Sequence, residues 1–119
     1  MTTLYGIKNC DTVRKARRWL QENGIDYRFH DVREDGINET MVTSWVNSLD
    51  WKLLLNRRSS SWRQLPGAVR EHLDRNAALK IMLEHPTIIK RPLLEHHKQL
   101  HPGFSTGQYA AIFQPDTPA

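Results

Sequence analysis

The sequence predicts an α/β fold, a mixed four-stranded sheet with an inserted helical subdomain, and three observations predict it. The apolar run Leu4-Tyr5-Gly6-Ile7 precedes Val13, Ala16, Trp19 and Leu20 on one stripe at helical spacing. Ile25, Tyr27 and Phe29 then alternate with polar residues, so the chain opens as strand, helix, strand. Residues 37–85 carry helical patterns only, and two short extended segments and an amphipathic helix follow them. At 119 residues, 39% hydrophobic and 25% charged, the chain has the make-up of a single domain. Such a domain buries roughly two thirds of its unfolded surface.

Each element has a local reason. Residues 3–7 read as a short buried strand. The helix from Asp11 to Glu22 meets its stop at Asn23-Gly24. Residues 25–32 form a second strand, and a right-handed crossover makes it parallel to the first. Asp35-Gly36 turns the chain. Asn38 caps the next helix, with Ile37 placed to staple onto Val42, and Met41, Val42, Trp45, Val46 and Leu49 supply its apolar face. Short helical turns are expected at 51–54 and 68–70, separated by a polar loop at 56–61. Asn76 caps a helix carrying Leu79, Met82 and Leu83, which must stop near His85-Pro86. Residues 87–90 read as extended, 93–96 and 98–101 as a hairpin or two poor strands, and Pro102-Gly103 as a turn. Ser105 with Gln108 makes a capping-box pattern for a last helix bearing Tyr109, Ile112 and Phe113. The whole chain, 1–119, is one domain on this reading. Its core is 1–33 with 86–114, its helical insert 37–85, and 115–119 a frayed tail. With the insert removed, the element order is thioredoxin/glutaredoxin-like.

Composition narrows the function classes. No window approaches about eighteen uninterrupted apolar residues, so no membrane span is expected. The start MTTLYGIKNC lacks the basic segment and apolar run of a signal peptide, which makes a cytoplasmic location the expectation. Lys and Arg total 17 against 13 Asp and Glu, a net charge of +4. That suits a solvated surface or an anionic partner: nucleic acid, a phosphate, or an acidic thiol such as glutathione. The stretch Arg57-Arg58-Ser59-Ser60-Ser61-Trp62-Arg63 lacks a recognisable nucleic-acid module, so no nucleic-acid partner is expected. His96, His97 and His101 have no carboxylate or thiolate to complete a tetrahedral set, so no metal is expected. The four tryptophans read as packing residues, and a monomer is expected.

Cys10 is the single cysteine, so it has no internal disulfide partner. It falls in the turn between the first strand and the first helix. Free backbone N–H groups and the positive end of the helix dipole meet there, and both favour a thiolate over a thiol. Arg14, at i+4, adds to this field or holds an anionic substrate, while Asp11 opposes as a like charge. A buried, inert cysteine is the competing reading. A dithiol pair needs cysteine at position 13, which is Val13, and a C-x5-R phosphatase loop needs arginine at position 16, which is Ala16. Cys10-x-x-x-Arg14 is a monothiol arrangement. A monothiol that forms a mixed disulfide takes its second thiol from elsewhere, glutathione or a dithiol protein being the obvious sources.

Three features together resemble the glutaredoxin-linked arsenate reductase (ArsC) family, in particular its YffB-like branch. They are Cys10 followed by Arg14, the loop Asn56-Arg57-Arg58, and the stretch His85-Pro86-Thr87-Ile88-Ile89-Lys90-Arg91-Pro92-Leu93-Leu94. The likeness runs to about Phe113. It implies a thioredoxin-like fold with a helical insert and a glutathione-dependent thiol reductase, with glutathione as cosubstrate and no bound cofactor. It implies that Cys10 is the nucleophile and Arg91 an anion-clamping catalytic arginine. Pro92 matches a cis-proline facing the cysteine, Arg14 the arginine beside the nucleophile, and Arg57 or Arg58 a second loop arginine; with Asn9 these make the expected substrate-binding set. Arsenate reductases of the family carry a further arginine after the R-P strands, and residues 96–104 have none. The turn Pro102-Gly103-Phe104-Ser105 instead offers backbone N–H groups to a carboxylate, which suits glutathione. Two alternatives stand beside this reading. One is arsenate reduction. The other is a non-enzymatic Spx-like regulator that binds RNA polymerase, although such regulators typically carry a Cys-x-x-Cys pair.

Overall fold

The structure is a computed structural model that describes residues 2–113. Its elements are β1 (Thr2–Gly6), α1 (Asp11–Glu22), β2 (Arg28–Asp31), α2 (Glu39–Ser48), α3 (Trp51–Leu54), α4 (Ser60–Arg63), α5 (Gly67–Glu71), α6 (Arg75–Glu84), β3 (Leu93–His96), β4 (Gln99–Pro102) and α7 (Thr106–Ile112). The strands form one mixed sheet in the order β2-β1-β3-β4. β1 runs parallel to β2 and antiparallel to β3, and β3 is antiparallel to β4.

The sheet separates two apolar clusters, and strand alternation assigns residues to them. Leu4 and its register partner Leu94 face Ala16 and Leu20 of α1 and Tyr109 of α7. Tyr5 and its partner Leu93 face the helices between β2 and β3, with Val42, Trp45, Leu54 and Met82. Trp45 is almost fully buried and meets the Tyr5 ring edge-on at 5.1 Å. Among the described residues no helix is long and apolar enough to cross a membrane.

Side-chain caps set the helix starts. Asn38 Oδ1 accepts from the Met41 N–H at 2.9 Å, as its position predicts. Asp74, and not Asn76, caps α6: its Oδ1 accepts from the Ala77 N–H at 2.7 Å, which leaves Asn76 inside the helix. Ser105 caps α7, but the Gln108 side chain reaches the Pro102 carbonyl, so the box is not closed. β2 begins at Arg28, later than its alternation predicts. The Ile25 N–H donates to the Leu20 carbonyl at 2.9 Å and Gly24 takes a positive φ of 67°, so the chain is still leaving α1 at that point. The polar loop expected at 56–61 contains the start of α4, whose cap is the Ser59 hydroxyl. Pro86–Ile88 form a short 3-10 turn where an extended run was expected. The expected tail 115–119 lies outside the described residues, as does Gln114.

One close approach fixes how α1 leaves the sheet. A Cβ on Gly6 would stand 2.7 Å from Cγ2 of Val13, a fully buried β-branched side chain with little rotamer freedom in a helix. Gly6→Ala is expected to destabilise the fold by about 1–3 kcal/mol in urea unfolding. The loss should fall below ~1 kcal/mol when measured in a Val13→Ala background, because the clash is then removed. An equal loss in both backgrounds would contradict the contact.

Candidate active site

Cys10 is the residue on which α1 begins. Its backbone is extended (φ −94°, ψ 124°) and its carbonyl accepts from the Arg14 N–H at 2.9 Å, while its side chain makes no cap hydrogen bond. The thiol is half-buried at the N-terminal end of a twelve-residue helix, not sealed in hydrocarbon.

The turn that carries Cys10 is tied down by a residue that the motif reading passed over. Asp31, at the end of β2, is 2% exposed. Its carboxylate accepts from the Lys8 N–H at 3.1 Å, the Arg33 N–H at 2.8 Å and the Glu34 N–H at 2.9 Å. Its own N–H donates to Asp35 Oδ2 at 2.9 Å. One carboxylate thereby joins the loop after β1, which holds Asn9 and Cys10, to the loop after β2. Burial alone pushes the Asp31 carboxyl up, but the Glu34, Lys8 and Arg33 N–H groups and the Lys8 ammonium together hold it below its ordinary value.

Cys10 opens into a cleft of about 350 Å³ lined also by Asn9, Arg33, Ser59–Ser61, Thr87 and Arg91. The Ser61 and Thr87 hydroxyls are hydrogen-bonded to each other there. Arg91 also lines a second cleft of about 740 Å³, so the two adjoin there. The second cleft holds Lys52, Arg57, Arg58, Lys90 and Arg91, and among the described residues no acid lines it. None of these five has a carboxylate within ion-pairing distance among the described residues, where the pairs are Lys8–Glu34 and Arg14–Asp11. Backbone pairing brings these cations together. Leu55 bridges Ile89, the Lys90 N–H donates to the Leu54 carbonyl at 2.7 Å, and the Asn56 N–H donates to the Ile88 carbonyl at 2.8 Å. Asn56 Oδ1 then accepts from the Arg58 N–H at 3.0 Å, which shapes the loop. The Arg57 guanidinium lies over the Trp62 ring, 5.5 Å from its centre. Arg91 Nη1 donates to the Thr87 carbonyl at 2.7 Å, and its buried Nε has no hydrogen-bond partner among the described residues.

The expected site residues thus fall into three groups. Cys10, Asn9 and Arg91 share one cleft, and Arg57 and Arg58 share the adjoining one with Arg91. Pro92 follows a cis peptide bond and is buried; it lines neither cleft, and its carbonyl accepts from the Gly103 N–H at 2.8 Å. Arg14 is also apart: it is exposed, lines neither cleft, and pairs with Asp11 at 2.9 Å. The i,i+3 spacing in the first turn draws it to that neighbour. Lys52, Lys90 and Arg33 are additions that no local motif marks. A depression of about 630 Å³ between α1 and α7, lined by Trp19, Ile25, Ala110 and Phe113 among others, carries no ionisable group among the described residues and lies away from this chemistry.

The ArsC family profile matches residues 5–112. A solved YFFB protein is 40% identical with a TM-score of 0.88, the match covering 93% of this chain and 97% of that one. A solved arsenate reductase (ArsC) related protein from Brucella melitensis is 43% identical with a TM-score of 0.78, covering 95% and 94%. The global transcriptional regulator Spx 2 of Bacillus anthracis is 29% identical over 107 residues, 88% of this chain and 81% of its own length.

The Asp31 tie makes a prediction with a definite sign. Folding lowers this carboxyl, so its stabilisation is complete above the ordinary aspartate value of about 3.9 and fades as pH falls through the lower folded value. Asp31→Asn is expected to lose roughly 1–3 kcal/mol at neutral pH. In urea unfolding across pH, the gap to wild type should narrow below about pH 4. A gap that stays constant into strong acid would rule out the charged tie.

Proposed function

We propose that this chain, which belongs to the ArsC family of arsenate reductase-like thiol oxidoreductases, is a glutathione-dependent thiol reductase that works through Cys10 alone. The observation that carries the reading is the adjacency of a half-buried helix-start thiol to a cleft that five cations line with no acid among the described residues. A disulfide whose arms bear carboxylates fits that pair of clefts.

In the first step the Cys10 thiolate attacks the glutathione sulfur of a mixed disulfide. A bond forms between Cys10 Sγ and that sulfur, the substrate S–S bond breaks, and the other thiol leaves and takes a proton from solvent. In the second step a glutathione thiolate attacks the same glutathione sulfur. Glutathione disulfide forms and Cys10 recovers its electron pair as thiolate. Arg91 and the loop arginines hold the carboxylates through charge-assisted hydrogen bonds. No second cysteine exists to resolve the intermediate internally.

The Spx 2 relative favours a second reading, a non-enzymatic regulator that binds RNA polymerase. A pull-down that returns polymerase subunits, from a protein that takes no glutathione on Cys10, selects it. Turnover of arsenate with glutathione and glutaredoxin would add arsenate to the substrates.

Incubation with glutathione disulfide is expected to add one glutathionyl group to the wild type and none to Cys10→Ser, read by intact mass. An equal adduct on the variant, or none on either, defeats the reading. In turnover, Arg91→Ala should lower kcat/KM by roughly ten- to a hundredfold, the scale of a lost hydrogen bond to a charged group. Arg14→Ala should change it less than about threefold, because Arg14 is an exposed residue paired with Asp11. Equal losses for the two variants would contradict the arrangement of the clefts.

A further inference from the structure

The cleft beside Cys10 contains one more cation, to which the mechanism above gives no task. Arg33 stands in the loop after β2, its N–H held by Asp31 Oδ1 at 2.8 Å. Its side chain has no carboxylate within ion-pairing distance among the described residues, and the adjacent Glu34 is taken by Lys8 at 2.8 Å. Arg33 lines the Cys10 cleft together with Ser60, Thr87 and Arg91. It also lines a depression of about 360 Å³ that it shares with Asn9, Lys8 and two carboxylates already engaged, Asp31 by backbone N–H groups and Glu34 by Lys8. It does not line the cleft of Lys52, Arg58 and Lys90. Two free cationic side chains therefore border the Cys10 cleft, Arg33 toward the depression beside Lys8 and Arg91 toward the larger cationic cleft.

The chemistry of exchange asks for two such places. The attacking, central and leaving sulfurs of a thiol–disulfide exchange lie in line, so the leaving thiol stands beyond the central sulfur. The resolving thiol enters along that line in reverse and occupies the place the leaving thiol has vacated. The glutathione that becomes bonded to Cys10 and the thiol that departs or arrives therefore need separate seats. On the reading proposed above, the cleft with five cations seats the first. We infer that the Arg33 side of the Cys10 cleft is the seat of the second, and that the Arg33 guanidinium takes the carboxylate of the incoming glutathione. This rests on the glutathione-dependent reading. In the resolving step the incoming thiol gives its proton to solvent and its sulfur bonds to the glutathione sulfur on Cys10. The Cys10 S–S bond breaks, Cys10 leaves reduced as thiolate, and the incoming glutathione is oxidised into glutathione disulfide with the glutathione that Cys10 had held.

The test separates the two half-reactions. Cys10 is loaded with the mixed disulfide of glutathione and 2-mercaptoethanol, whose leaving arm is uncharged. It is then resolved with either glutathione or 2-mercaptoethanol, and each step is followed by quenched-flow mass analysis. Wild type, Arg33→Ala and Arg33→Lys are expected to load at the same rate, which also reports that the variants are folded. Resolution by glutathione should be roughly twofold to fivefold slower in Arg33→Ala, the scale of an exposed ion pair, and largely restored in Arg33→Lys. The difference should close near ~1 M salt. Resolution by 2-mercaptoethanol should be the same in all three. If Arg33→Ala slows both thiols equally, or neither, the subsite is overturned while the reductase reading stands. If none of the proteins loads, the reductase reading fails and the subsite fails with it.

Discussion

The position of the sulfur depends on a contact that contains no sulfur, the backbone of Gly6 against the side chain of Val13. Without a Cβ at Gly6 the first turn of α1 lies directly on the end of β1. Cys10 then occupies the helix cap at the rim where the loops after β1 and β2 meet the segment that enters β3. Asp31 completes the arrangement from the neighbouring strand. Its three accepted N–H bonds fix the backbone on either side of the Cys10 cleft. A strand end, a helix start and one buried carboxylate thus place the thiol before any substrate arrives.

The cations are placed by a different device. Residues 54–56 pair with residues 88–90 through an isolated bridge and two further backbone bonds, so side chains from separate segments converge without an ion pair among the described residues. Mutual repulsion is bearable because Lys52, Arg57, Arg58 and Lys90 are exposed, and salt screens exposed charges over about 10 Å. Arg91 is less exposed and is anchored by the Thr87 carbonyl. Its buried, unpartnered Nε is a cost of roughly 1–3 kcal/mol. Charge left uncompensated in this way weakens the empty protein and favours an anionic ligand.

Local chemistry was legible and convergence was not. Strand, helix and strand in the first thirty-odd residues follow from short-range patterns. So do the Asn38 and Ser105 caps and the location of Cys10 where an apolar run gives way to a helix. Arg14 shows the limit of spacing. Its place at i+4 fixes where its Cα stands relative to Cys10, but Asp11 decides where the guanidinium goes. Asp31 reads as one acid among several before a turn, and only the packing of β2 beside β1 buries it and supplies its donors. Lys52, Lys90 and Arg33 read as surface charge, because nothing in their neighbourhoods announces that they share clefts with Arg91. The short turns at Ser60–Arg63 and Pro86–Ile88 escape for a related reason, since each is shorter than the window in which periodicity has meaning.

Val13 links the packing to the chemistry. It occupies the position where a dithiol enzyme of this helix-start type would keep its resolving cysteine, and its methyl groups fill the space that Gly6 leaves open. The side chain that seats the helix therefore stands where a second thiol would have stood. Any disulfide formed on Cys10 has to be opened by a thiol that comes from solution, and such a thiol needs room and an attraction of its own beside the bonded one. Two adjoining clefts with free cations meet that requirement, where a closed dithiol site would need only one. The absence of a second cysteine and the excess of unpaired cationic groups are on this view consequences of the same constraint.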